Sequence, residues 1–456
     1  MRRLCLACVT SNDTFQLCHS LWRCSAAPWH GQAMSRASLT PTIEATDRRV
    51  LWAAANIEGA FMRANVSTLR QGCLVAAATL LATTLSACNS SGSGDANSTS
   101  GSNADTSKAQ ERLNAAYKGF YSEPQGDTPA APTGKNVWVI PTDLSYGFSD
   151  DWAKASKDAG ALLGWTIKTY DGKSDPNNVL QGIRSAIAAK ADGIMIEVQD
   201  CDAIKSGLTE AKKAGIPVVG DQGQDCDPPL FSATTVFKNG GYEGNDGTAP
   251  KTLAAAFKPQ ADWVTVKSNG DAKIITIEET DSQAAIWQAQ GVREELKDVC
   301  PGCKIVATVK YTVDQIPNLQ QMISQALLQH PEATAIINTV ADFVQQYGLS
   351  GAVLSSGRAD KLLVTGGEGT APGLDLIRKD AGDQQTSTCT SNIWVAYTDI
   401  DQMIRLFAGA KPATDSGNGW VLIDKDHNLP KSGACVPQVD GKPIDPKALY
   451  TKIWGK

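Results

Sequence analysis

The 456-residue chain has 42 Lys and Arg against 48 Asp and Glu, a net charge of −6, and 42% hydrophobic residues. That mildly acidic balance, with no basic patch or run, argues against a nucleic-acid partner. The length allows two domains of ordinary size.

Arg63 and Arg70 lead into Cys73–Leu85, which is almost free of polar side chains except Thr, and Leu85-Ser86-Ala87-Cys88 closes the segment. A basic lead, a short apolar stretch and small residues before a cleavage point make a secretory signal peptide. The stretch is shorter than the roughly 20 residues of a membrane-spanning helix, and no later run is long enough either. Leu-Ser-Ala-Cys resembles the bacterial lipobox, which implies acylation of Cys88 and an exported protein lipid-anchored at the membrane. The signal peptide is then 62–88, and residues 1–61, without periodic segments, read as a mis-assigned upstream extension. The tract after Cys88, Asn-Ser-Ser-Gly-Ser-Gly-Asp-Ala-Asn, is too polar to bury anything. Residues 89–134 are therefore expected to be a flexible linker.

From Val137 onward short β-branched runs alternate with helical patterns. Val137–Ile140, Thr166–Thr169, Ile194–Ile196 and Ile216–Val219 read as buried parallel strands. Pro176–Lys190 between them carries Val179, Ile183, Ala186 and Ile187 on one helical face. Gly193 and Gly215 are expected helix stops. After a break expected near Pro259–Asp271, a second series follows: Ile274–Ile277, Ile305–Val309, Ala335–Ile337 and Leu362–Val364, with a helix over Gln315–Gln329. The pattern predicts an α/β chain of two similar lobes with parallel sheets. The first spans 135–258, completed by about 390–415; the second spans 259–389, completed by about 416–456. Ligands sit beyond the carboxyl ends of such strands, so two facing lobes make a cleft.

Six cysteines follow Cys88. An even number in an exported chain favours disulfides, with some 15 pairings open. The expected pairs are Cys201–Cys226, Cys300–Cys303 and Cys389–Cys435. Cys300-Pro301-Gly302-Cys303 precedes a strand, whereas a redox motif opens a helix. Zinc would need a second Cys-x-x-Cys or more His than the four present. No metal or cofactor is expected.

Three segments carry a family likeness: Ala191-Asp192-Gly193-Ile194-Met195-Ile196, Ala211–Val219 and Leu362–Gly369. With them, residues 135–410 resemble the bacterial substrate-binding proteins of sugar ABC transporters, of the ribose- and galactose-binding type. The resemblance implies the periplasmic binding protein type I fold, two hinge-linked Rossmann-like lobes joined by three crossing segments. A signal and linker stand where the family's transcription-factor cousins carry a helix-turn-helix.

By position, the resemblance implies a ligand set of Asp143, Phe148, Asp221, Gln222, Trp287, Asp342, Glu368 and Asn392. Trp152 reads equally as a core residue or a cleft residue. Phe148 matches an aromatic that stacks on the sugar, and Asp221-Gln222 stands at the family's Asp-Arg pair. The family arginine before Gly291 is missing, with Ile286 and Trp287 in its place. Glu368 occupies an Asp position, and Asn392 is the nearest match to a Gln. The implied function is a monomeric, non-catalytic receptor that takes a small solute, most simply a sugar, to an ABC permease. A ligand sensor shares this architecture. An exported enzyme is disfavoured, because there is no Gly-x-Gly-x-x-Gly loop and no Gly-x-Ser-x-Gly elbow. A structural surface lipoprotein is the third class.

Overall fold

The computed structural model describes residues 105–235 and 248–456. Cys88, the signal segment and the start of the expected linker lie outside them.

The first described element corrects the linker expectation. Helix α1 (Ser107–Lys118) buries Ala109, Leu113 and Ala116, an i, i+4 stripe hidden among polar residues. Lys108 and Arg112 both pair with Asp298, at 2.6 and 2.8 Å. Residues 107–118 are thus part of the second lobe's surface rather than a tether.

The first lobe is built from β1 (Asn136–Ile140), α2 (Gly147–Leu162), β2 (Thr166–Thr169), α3 (Pro176–Ala188), β3 (Gly193–Glu197), α4 (Cys201–Lys213), β4 (Val218–Asp221) and β5 (Ala233–Thr234). Its strands form a parallel sheet in the order β2-β1-β3-β4-β5. Every residue of β3 is buried, as expected of a central strand covered on both faces. Helix α3 starts where Asp175 accepts a hydrogen bond from the Asn177 amide (2.8 Å), with Pro176 in the first turn. Gly215 closes α4 in the left-handed region (φ 72°), as expected. Gly193 does not close α3: Lys190 takes that turn (φ 52°). Gly193 instead begins β3, where a Cβ would lie 2.5 Å from Met403 Sδ.

The second lobe contains α5 (Ala249–Lys267), β6 (Lys273–Glu279), α6 (Gln283–Val299), β7 (Lys304–Tyr311), α7 (Leu319–Gln329), β8 (Ala335–Asn338), α8 (Ser350–Ser355), β9 (Leu363–Val364) and α9 (Ala371–Lys379). The parallel sheet runs β7-β6-β8-β9. The break expected near Pro259 is absent: α5 runs through that proline. Its packing against α6 and α1 offsets the lost backbone bond. The second lobe therefore begins at α5, about ten residues before the expected boundary. The helix expected over Gln315–Gln329 starts at Leu319, after a tight 3₁₀ turn that contains Pro317.

Strand β10 (Thr386–Cys389) pairs antiparallel with β11 (Val421–Asp424) and meets Thr365 through an isolated bridge. Between them α10 (Asn392–Phe407) returns to the first lobe and packs on α2. The final helix, α11 (Pro446–Ile453), also lies on α10, with Tyr450 and Trp454 against Tyr397. Within 416–456, the segment expected to complete the second lobe, β11 pairs with β10 while α11 packs on α10. The three disulfides join the expected pairs. No helix of the described residues is long and apolar enough to cross a membrane.

Gly291 sets how closely α5 and α6 approach. A Cβ there would lie 1.9 Å from the Ala254 carbonyl oxygen of α5. Gly291→Ala must push two buried helices apart, and overpacking of this kind costs about 3 kcal/mol. Urea unfolding is expected to show that loss; a change within about 0.5 kcal/mol, the ordinary range of surface substitutions, would refute the close contact.

Candidate functional site

A cavity of about 190 Å³ lies between the lobes. Its walls are loops leaving the carboxyl ends of six parallel strands. From the first lobe come Thr142 after β1, Val198–Asp200 after β3 and Gln222 after β4. From the second come Asp281 after β6, Val340 and Ala341 after β8, and Glu368 after β9. This is where facing parallel sheets place a ligand.

Two lining residues have strained backbones. Val198 (φ 45°) and Gln222 (φ 52°) both occupy the left-handed region, which is costly for a β-branched residue. The Val198 amide donates to the Asp221 carbonyl (3.1 Å), which holds the two loops together. Strain of this kind persists where the surroundings over-determine it and clusters at ligand sites.

The aromatic part of the cavity comes from the start of α2 and the loop after β8. Tyr146 stacks on Phe343 across the lobes, with centroids 4.7 Å apart, and on Phe148 at 5.8 Å. A polar tie joins the lobes as well: Asp200 Oδ2 accepts from the Gln283 amide at 3.1 Å. Ser174 donates to Asp143 (3.1 Å) and lies 3.2 Å from the Tyr146 hydroxyl, which fixes that ring.

Buried acids cluster at and behind the cavity wall, with Glu279 and Glu368 in the lining and Glu197, Asp221 and Asp399 behind it. Glu197 ends β3; its Oε2 accepts from the Thr142 amide (3.0 Å) and the Ser149 hydroxyl, while Oε1 has no partner. Burial pushes it up to about 7, against those two donors, with Asp399 adding. Asp399, on α10, accepts from Trp152 Nε1 (2.9 Å) and Thr235, and burial raises it to about 6. Asp221 is raised well above the usual carboxylate range by burial, with the charges of Asp399 and Glu197 adding. On the facing lobe, burial and then Asp281 push Glu279 up to about 7. Glu368 is 8% exposed, and burial with Asp342, Glu197 and Glu279 raises it to about 8. A protonated carboxyl both donates and accepts, as a sugar hydroxyl does.

The expected ligand set divides. Phe148, Gln222 and Glu368 line the cavity. Asp143 stands behind it, bracing its own loop through Ser145 and Ser174. Asp342 is withdrawn from the cavity: it accepts from Gly367 N (3.0 Å), Thr370 N (2.7 Å) and Thr370 Oγ1 (2.6 Å). With its lone pairs taken up, it fastens the loop that carries Glu368. Trp152 is fully buried in the first lobe's core, so its core reading is the one realised. Asp221 lies buried at the end of β4, outside the lining. Asn392 opens α10, also outside the lining. Trp287 faces a separate groove beside Pro229 and Pro412.

The sequence reading missed Tyr146, Glu197, Glu279 and Phe343. Strand ends gave a usable signal for one of them: Glu279 closes β6 and lines the cavity, whereas Glu197 closes β3 buried behind the lining.

A family model described as periplasmic binding protein domain matches residues 137–411. Among solved structures the chain is similar to GanP, a glucose-galactose binding protein from Geobacillus stearothermophilus. That likeness is 17% identity and TM-score 0.55, over 65% of this chain and 99% of that one. A periplasmic solute binding protein from Actinobacillus succinogenes with bound D-allose aligns at 16% identity and TM-score 0.55, over 64% and 98%. A sugar ABC transporter protein from Yersinia enterocolitica aligns at 15% and 0.57, over 73% and 99%. Identities this low establish the type I two-lobe fold. No curated protein sequence matches the chain.

Proposed function

We propose that this chain, which belongs to the periplasmic binding protein family, captures a sugar between its lobes and delivers it, unreacted, to the permease of an ABC transporter. It acts outside the cytoplasm as a monomer, held at the membrane by a lipid on Cys88. The observation that carries this reading is the cavity itself. It joins both sheets at their carboxyl ends and sets Phe148 in one wall with Glu279 and Glu368. An apolar ring covers the C–H face of a sugar while carboxyls grip its hydroxyls. Support also comes from similar structures named for glucose-galactose and D-allose. Closure on the ligand by hinge motion supplies the signal that a permease reads.

Thermal-shift assays over a panel of monosaccharides and polyols test the proposal. A ligand at 100 times its Kd stabilises the native state by about 2.7 kcal/mol. One sugar, or a narrow group, is expected to raise the melting temperature, with one-to-one binding by calorimetry and no product. Phe148→Ala is expected to weaken that binding about tenfold, the loss of roughly 1.4 kcal/mol of ring contact. Sugar turnover, or no stabilisation by any carbohydrate, would refute the reading.

A further inference from the structure

The cavity wall has one chemical bias. Asp200, Glu279, Asp281 and Glu368 line it, and among the described residues no Lys, Arg or His does. Nor does any described ion pair neutralise Glu197, Glu279 or Glu368.

Glu368 is the clearest case. It lines the cavity, is more than nine-tenths buried, and its Oε2 has no hydrogen-bond partner. Its neighbour Asp342, outside the lining, takes three donors from that loop. The chain thus satisfies one buried carboxyl of the pair and leaves the other, at the cavity wall, without a hydrogen-bond donor for its shut-in Oε2. A buried carboxyl without a partner is costly, and such a cost is retained where a ligand supplies the missing group.

We propose that the captured solute carries a protonated amine seated against Glu368, in the simplest case an amino sugar. This rests on the sugar-capture reading and names its ligand class. An ammonium has three donors and no acceptor, which complements a wall of acceptors. Its charge gains most where water is excluded and the effective dielectric is low. Tyr146, Phe148 and Phe343 add ring faces that attract a cation.

Binding also moves a proton. In the free protein Glu368 holds a proton at neutral pH, facing Asp342 after β8, Glu197 at the end of β3 and Glu279 at the end of β6. When the ammonium sits down, the carboxyl ionises, its proton leaves to solvent, and the pair is one cation with one anion.

Calorimetry at pH 7 tests this, with glucosamine, galactosamine and mannosamine set against glucose, galactose, mannose and the N-acetylated forms. Putrescine and spermidine serve as cations that are not sugars. One amino sugar is expected to bind at least tenfold tighter than its parent and its N-acetyl form. Titrations in buffers of different ionisation enthalpy should show proton release. Glu368→Gln should bring amine and parent within about twofold of each other; if that variant does not fold, Glu279→Gln and the N-acetyl comparison decide. A neutral sugar that binds as well as its amine overturns the amine inference and leaves sugar capture standing. A polyamine that binds where no carbohydrate does overturns sugar capture and keeps the cation. Silence from both classes overturns both.

Discussion

Between about pH 5.5 and pH 8.5 the ligand-free protein is expected to lose thermal stability, its melting temperature falling by about 5–10 °C. The sign follows from the cleft carboxyls. Glu197 and Glu279 rise from 4.5 to about 7, and Glu368 rises to about 8, with burial the leading cause in each. In this window the folded protein keeps protons that the unfolded chain has released. Stability is therefore full below about 4.5 and is lost as pH climbs through the folded values. One pKa unit is worth about 1.4 kcal/mol, so three such groups put several kcal/mol at stake. Separation of the lobes returns the carboxylates to water and relieves part of that cost, which keeps the expected fall moderate. Carboxyls held low by a partner, such as Asp298 beside Lys108 and Arg112, titrate far below this range and leave the slope alone. Scanning calorimetry across the window measures it. A flat or rising melting temperature would contradict the buried-acid cluster, and Glu368→Gln should visibly shallow the slope.

The two-sheet architecture was legible because buried parallel strands leave unbroken β-branched runs. Ile194–Ile196 and Ile274–Ile277 cannot be mistaken for surface. The Cys201–Cys226 pair was legible because loops after neighbouring strands end close together. Helix α1 was not, since three small or apolar residues spaced by four and three vanish inside a polar composition. Pro259 misled because its cost is local, whereas the packing of α5 on both sides is tertiary and invisible along the chain. For the cleft, the order of strand ends told which loops meet, and the family resemblance named Phe148, Gln222 and Glu368, which line the cavity. It did not tell which side of a loop faces inward. Asp342 and Glu368 are both acids in loops after adjacent strands, yet Asp342 turns back onto Gly367 and Thr370. Tyr146 escaped for a similar reason: its partner Phe343 lies on the other lobe, almost 200 residues away.

Removal of each disulfide is expected to cost stability in the order of the loop it closes. Cys389–Cys435 spans 46 residues, Cys201–Cys226 spans 25, and Cys300–Cys303 spans 3. Loop-closure entropy in the unfolded chain puts the longest at about 4 kcal/mol and the shortest at about 2 kcal/mol. The long bridge has a second consequence in the folded state. The Cys435 amide donates to the Gly369 carbonyl (2.8 Å), and the Thr390 amide donates to that of Glu368 (3.3 Å). Both cysteines therefore brace the loop that holds Glu368 in the cleft. Cys389→Ala with Cys435→Ala is expected to cost about 4 kcal/mol in urea unfolding and to weaken ligand binding severalfold. Cys300→Ala with Cys303→Ala should cost about half as much and leave binding unchanged, because that pair sits at the end of α6, far from the cavity lining. Equal losses from the two pairs would defeat the loop-length argument. Unchanged affinity in the first variant would defeat the claim that this bridge steadies the Glu368 loop.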